Sequence, residues 1–187
     1  MADRPTVRRL PRDEAVLRRY AAELWLPYNR DLADAVAAHD LADWSEDRFV
    51  ERHVAFARDR LDEAGSRGWV AATADGANDT EVDPATTELT DPRLDLVGLL
   101  MTSVDECPDP FDRPDRLVIG EIYVAEPHRG TDLADRFVER AAADARDHGC
   151  PELRLDVDVD NERAVAFYEK TGFEDYRRQL TAAVDDL

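Results

Sequence analysis

A chain of 187 residues and 21.1 kDa, 43% hydrophobic and 36% charged, has material for one compact domain with a full core. It is not the low-hydrophobicity, high-charge type that stays disordered. The formal net charge of -19 repels the phosphate backbone that supplies most nucleic-acid affinity, which argues against DNA and RNA as partners.

In chain order, Thr6 to Leu10 predicts a short edge strand, and the spacing of Ala15, Val16, Tyr20 and Leu24 predicts a helix to about Leu26, stopped by Pro27. Helices are expected from Arg30 to His39 and from Ser45 to Ala64, the second capped by Ser45 and ended by Gly65. Trp69 to Thr73 and Leu94 to Val104 read as strands. The insertion between them, about residues 75–93, is rich in Asp, Glu, Thr and Pro and is expected as an exposed, mobile hairpin loop. Arg116 to Val124 is a further strand, with a register break at Gly120 that implies a bulge and a splayed sheet. Leu133, Phe137, Val138, Ala141, Ala142 and Ala145 form a helical stripe ended by Gly149. Leu153, Leu155, Val157 and Val159 alternate with charged residues, the pattern of a strand with one buried face. A helix from Glu162 to Thr171 follows, capped by Asn161 and closed by Gly172, and the tail from Phe173 to Val184 is expected to add one or two strands. The order predicts an α/β fold with a mixed sheet and helices on its faces.

Two cysteines without CxxC spacing, no apolar signal core and no run of 18 apolar residues predict a soluble cytoplasmic protein with reduced thiols and no membrane partner. Hydrolase, P-loop and metal motifs are absent, and the four histidines are scattered, so no metal is expected. His39, His53 and His148 read as solvated or packed helix histidines. Lysine supplies only Lys170 among 24 basic residues, and this composition resembles that of proteins from salt-accumulating archaea. Surface acidity is then a solvent adaptation and says little about substrate.

Two stretches carry chemistry. From Glu121 to Phe137 a strand passes through a short turn into a helix, so the first helical amides point at the turn and make an anion site, with Gly130 allowing close approach. An ordinary strand-to-helix corner is the alternative. From Asn161 to Phe173, helical spacing puts Ala164, Phe167 and Tyr168 on one face, with the Tyr168 hydroxyl at its edge, where it can donate a proton or merely cap a carbonyl.

Together, Arg-Gly-x-x-Leu-Ala at a helix start, an alternating strand and Asn-x-x-Ala-x-x-Phe-Tyr-x-Lys-x-Gly-Phe resemble the GNAT superfamily of acetyl-coenzyme A dependent N-acetyltransferases. The resemblance covers roughly Leu94 to Phe173. It implies a single domain over residues 1–187, with a mostly antiparallel central sheet splayed between strands four and five. By the same resemblance, acetyl-coenzyme A is the co-substrate and an amine the acceptor. The pantetheine arm lies along Ile122, Tyr123 and Val124, and the pyrophosphate on amides of Arg129, Gly130, Thr131, Asp132, Leu133 and Ala134. Asn161 matches the asparagine that contacts the cofactor arm, and Tyr168 the tyrosine that protonates the departing thiolate.

Asp132 stands where the family usually has a second glycine, and it repels a pyrophosphate unless it turns outward toward Arg136. Glu121, on the strand beside the thioester, is the candidate base; its alternative is a structural acid or one facing Arg154. Trp25, Tyr28, Trp44, Phe49 and Tyr123 are candidates to line the acceptor pocket. The acceptor is left open among polyamines, antibiotic-like amines, amino acids and protein N-termini, as is a homodimer through the C-terminal strands. The competing function is a non-catalytic acyl-coenzyme A binding or sensing module with the same fold.

Overall fold

The structure is a computed structural model that describes residues 4–74 and 82–186. Its chain divides into two compact units, one ending at Asp156 and the other beginning at Val157.

The first unit is built on five strands: β1 (Thr6–Arg9), β2 (Arg67–Ala74), β3 (Leu94–Asp105), β4 (Arg116–Val124) and β5 (Glu152–Arg154). They lie in sequence order, antiparallel except for the parallel pair β4 and β5. That last pairing covers only Arg116 to Val118 against Glu152 to Arg154, so the outer edge of β4 beyond Val118 has no strand partner in β5. The expected splay is there. The expected strand as far as Val159 is not: alternation reports which face a side chain prefers, but a strand also needs a neighbour, and β4 has already diverged.

Helices cover both faces. Val16, Leu17 and Tyr20 of α1 (Glu14–Tyr20) and Val50, Val54, Ala57 and Leu61 of α3 (Glu46–Asp62) form one core with Val70, Leu99, Met101 and Tyr123. Neighbouring positions on a strand face opposite ways. Accordingly Trp69 and Thr102 reach the other side and donate to Asp144 of α4 (Leu133–Asp147), at 2.8 Å and 3.2 Å.

Pro27 does not end the first helix. It lies in the first turn of α2 (Leu26–Ala35), joined to α1 by a π-turn over Ala21–Trp25 in which the Leu26 amide donates to the Ala21 carbonyl. Proline has no N–H for the regular ladder, and a wider turn absorbs the gap. The insertion also differs from expectation over its described part, residues 82–93. Leu89 is buried in the core. Arg19 donates to the carbonyls of Leu89 and Asp91, both at 2.8 Å, and of Leu94, while Arg8 holds those of Pro84 and Thr87. Two arginines thus tie down a segment whose composition alone reads as loose. Residues 75–81 lie outside the described part.

The second unit contains α5 (Glu162–Lys170), with the Asn161 side chain accepting from the Ala164 amide at 3.2 Å. The strands expected between Phe173 and Val184 do not form; the tail holds one short 3-10 turn, Val184–Asp186, and Leu180 is 89% exposed. Among the described residues, no helix is long and apolar enough to cross a membrane.

Candidate active site

The bulge in β4 builds the site. Met101 pairs with Glu121 and Thr102 with Ile119, so Gly120 is the extra residue. Glu121 sits opposite Met101, which puts its carboxylate on the α1 and α3 face, in a mostly buried position. There the Tyr20 hydroxyl donates to Glu121 Oε2 at 3.1 Å, and Arg60 Nη1 lies 3.7 Å from Oε1. Burial raises the Glu121 carboxyl above its ordinary value, and Arg60 and the Tyr20 hydrogen bond pull the other way. The suggested partner Arg154 is elsewhere, paired with Asp105 and Asp156.

Behind Tyr20 stands His53, with Nε2 3.4 Å from the hydroxyl. Burial and the nearby Arg60 charge push the imidazole down to about 3, so it is neutral at pH 7. With its O–H donated to Glu121, the Tyr20 oxygen has only lone pairs to offer His53, so that pairing requires the imidazole proton on Nε2. Both bonds therefore point toward the carboxylate. Trp25 stacks on the imidazole at 3.9 Å, and Tyr20 approaches it at 5.5 Å. Residues five apart reach one side of a helix because the π-turn joins them. Tyr28 lies 5.8 Å from Tyr123, and burial, then the Glu121 charge, raise its phenol to about 12. Trp44 and Phe49 pack on each other at the start of α3.

Tyr20, His53 and Arg60 were not singled out from sequence as partners of Glu121. The available signal was the seven-residue spacing of His53 and Arg60, which places both on one face of α3.

At the end of β4, the Ala125 amide donates to the Val97 carbonyl of the β3 segment. By alternation Ile122 and Val124 therefore turn their amides to the open edge, and Tyr123 turns inward. Arg129 donates to the Val124 carbonyl at 3.0 Å, pairs with Asp31 of α2 and lies over the Tyr123 ring. Its side chain thus ties the strand end to α2, and only its backbone remains for an anion. Gly130 adopts φ +74, and a Cβ built there would meet nothing within 4 Å, so the turn presents bare backbone to open space. The Thr131 hydroxyl accepts from the Leu133 amide at 3.4 Å, and Ala134 follows in the first turn of α4. Asp132 caps no amide and pairs with Arg4, while Arg136 donates to the Pro5 carbonyl. The acid does turn outward, but to a different arginine than expected.

Asn161 and Tyr168 belong to the second unit. The Asn161 oxygen serves as the helix cap, and the Tyr168 ring packs between Phe167 and Phe173 at 5.4 Å and 5.5 Å.

A strand edge free of β5 beyond Val118, the glycine turn at Gly130 and the start of α4 thus follow one another along the chain. The acetyltransferase (GNAT) family profile matches residues 33–173, more than half of the chain. The chain belongs to the GNAT acetyltransferase family, a family of acyltransferases. Over 60 residues it is 32% identical to N-alpha-acetyltransferase 30 of Schizosaccharomyces pombe, a match spanning 32% of this chain and 40% of that relative. In fold it is similar to a Bacillus halodurans C-125 protein described as a transcriptional regulator, with a TM-score of 0.66, 18% identity, and coverage of 96% and 99% of the two chains. It is also similar to the aminoglycoside N-acetyltransferase AAC(6')-Iy in complex with CoA, with a TM-score of 0.62, 13% identity, and coverage of 98% and 96%.

Proposed function

We propose that this chain transfers the acetyl group of acetyl-coenzyme A to a primary amine by direct attack. The observation that carries this reading is the open edge of β4 beyond Val118, with the buried carboxylate of Glu121 on the same strand. Amides of Ile122 and Val124 would bond the pantetheine arm like an added strand, and the backbone from Arg129 to Ala134 would hold the pyrophosphate. A primary amine is mostly protonated at neutral pH, so the site must take a proton before or during attack. Glu121 accepts it, directly or through a water. The nitrogen–carbon bond then forms while a strand amide near Val124 faces the charge growing on the carbonyl oxygen. As the carbon–sulfur bond breaks, Tyr168 gives its proton to the departing thiolate. Asn161 contacts the cofactor arm, a role that rests on the family resemblance, as does that of Tyr168.

The names of the relatives described as N-alpha-acetyltransferases support a peptide α-amine as the acceptor to try first. The test is thiol release from acetyl-coenzyme A with a peptide α-amine, a polyamine or an aminoglycoside, at about 1 M salt, where the Debye length is ~3 Å. Amine-dependent release is expected. Glu121→Gln should lower turnover about 10²-fold or more. Tyr168→Phe should lose turnover with acetyl-coenzyme A binding retained, and an unchanged rate removes Tyr168 from the mechanism. The departure at Asp132 from the family's usual second glycine raises a second reading, a degenerate, non-catalytic member that keeps the fold and binds acyl-coenzyme A without chemistry. Thermal stabilisation by acetyl-coenzyme A without release for any amine would establish that reading instead.

A further inference from the structure

We infer that Arg60 is a positioning residue that holds Glu121 ionised, and that Gly120 lacks a side chain so that the Arg60 guanidinium can lie against the β4 bulge. The inference rests on the reading of Glu121 as the group that takes the amine proton.

Glycine at 120 is not explained by backbone conformation, since its φ is not among the positive ones. Space explains it. A Cβ built on Gly120 would overlap Arg60 Nη2 and come within 3.2 Å of Cζ. The extra residue of the bulge therefore faces α3, and the guanidinium occupies the place of its side chain. From there Nη1 lies 3.7 Å from Glu121 Oε1, and the two side chains are 19% and 13% exposed. The groups facing Glu121 are Tyr20 from α1, Tyr28 from α2 and Arg60 from α3, with neutral His53 one step behind Tyr20. Among the described residues, Arg60 is the one cation paired with this carboxylate. A carboxyl this enclosed is pushed toward the protonated form, in which it cannot accept a proton, and a cation at this distance opposes that. Tyr20 orients one carboxylate oxygen while Arg60 controls the charge.

The test is the pH profile of kcat/KM for Gly120→Ala, Arg60→Gln, Arg60→Lys and Glu121→Gln beside the unaltered protein. Losing the cation raises the Glu121 pKa, so the acid limb for Gly120→Ala and Arg60→Gln should move up by about one unit or more. The KM for acetyl-coenzyme A should hold, and Arg60→Lys should move the limb back toward its original position. If Arg60→Gln fails to fold, Gly120→Ala carries the test, because the three atoms nearest its added methyl all belong to the guanidinium of Arg60, the far end of a flexible side chain. Acid limbs left in place for both variants, with Glu121→Gln inactive, overturn the inference and leave Glu121 as the base. Full turnover by Glu121→Gln overturns the base assignment itself, and the role of Arg60 with it.

Discussion

Asp132 shows how much one side chain can contribute at a helix start. An acid in the first turn gains about 0.3–1 kcal/mol from the helix dipole. Against a pyrophosphate roughly 5 Å away, each like-charge pair costs about 3 kcal/mol at an effective dielectric near 20. The pair with Arg4 offsets little of this, because both side chains are exposed, at 48% and 71%. Asp132→Gly is therefore expected to tighten coenzyme A binding at low ionic strength and to change it little at about 1 M salt, where the repulsion is screened. Calorimetric titration at both salt concentrations checks this; equal affinities for the two forms at low salt would remove Asp132 from the binding energetics. Glu121 and Gly130 stand inside stretches that the sequence displays, so their candidacy is read locally. His53 and Arg60 do not, because nothing local says which strand their helix covers.

At the scale of elements, α4 is fixed to the sheet by one fully buried acid. Asp144 accepts from Arg67 at 3.0 Å, Trp69 Nε1 at 2.8 Å and Thr102 Oγ1 at 3.2 Å, and Arg140 lies 3.6 Å away. Replacing it by alanine takes the acceptor from the Trp69 indole N–H and the ion-pair partner from Arg140, while Arg67 keeps Asp147 and the Thr102 hydroxyl keeps the Arg67 carbonyl. Asp144→Ala should cost about 1–3 kcal/mol in urea unfolding. Because Asp144 lies in the last turn of α4, away from Leu133 at its start, kcat should hold at temperatures where the variant stays folded. Helix ends were legible because their signals are local: Ser45 accepts from the Arg48 amide at 3.4 Å, and Asn161 caps α5 as expected. The bulge at Gly120 was legible too, through the break in alternation. Strand extent was not. Leu155, Val157 and Val159 follow the same pattern as Leu153, yet β5 stops at Arg154, because pairing depends on where β4 goes.

For the whole molecule, 43 acidic residues against 24 basic ones make self-repulsion a general force on the fold. Raising salt from about 0.1 M, with a Debye length of ~10 Å, to about 1 M, with ~3 Å, should raise the thermal midpoint by screening it. A midpoint that falls with salt would mean that ion pairs such as Arg67 with Asp144 outweigh the net charge. Composition, hydrophobic periodicity and two short motifs were enough to identify a mixed sheet with helices on both faces and the family it belongs to. These are properties of neighbours along the chain, and neighbours are what a sequence displays. The tie of Arg19 to the insertion, the meeting of Tyr20, Arg60 and His53 around Glu121, and the end of β5 join groups far apart in the chain. Their proximity is a product of packing, where distance and burial together set the charge a side chain carries, so the fold had to be seen first.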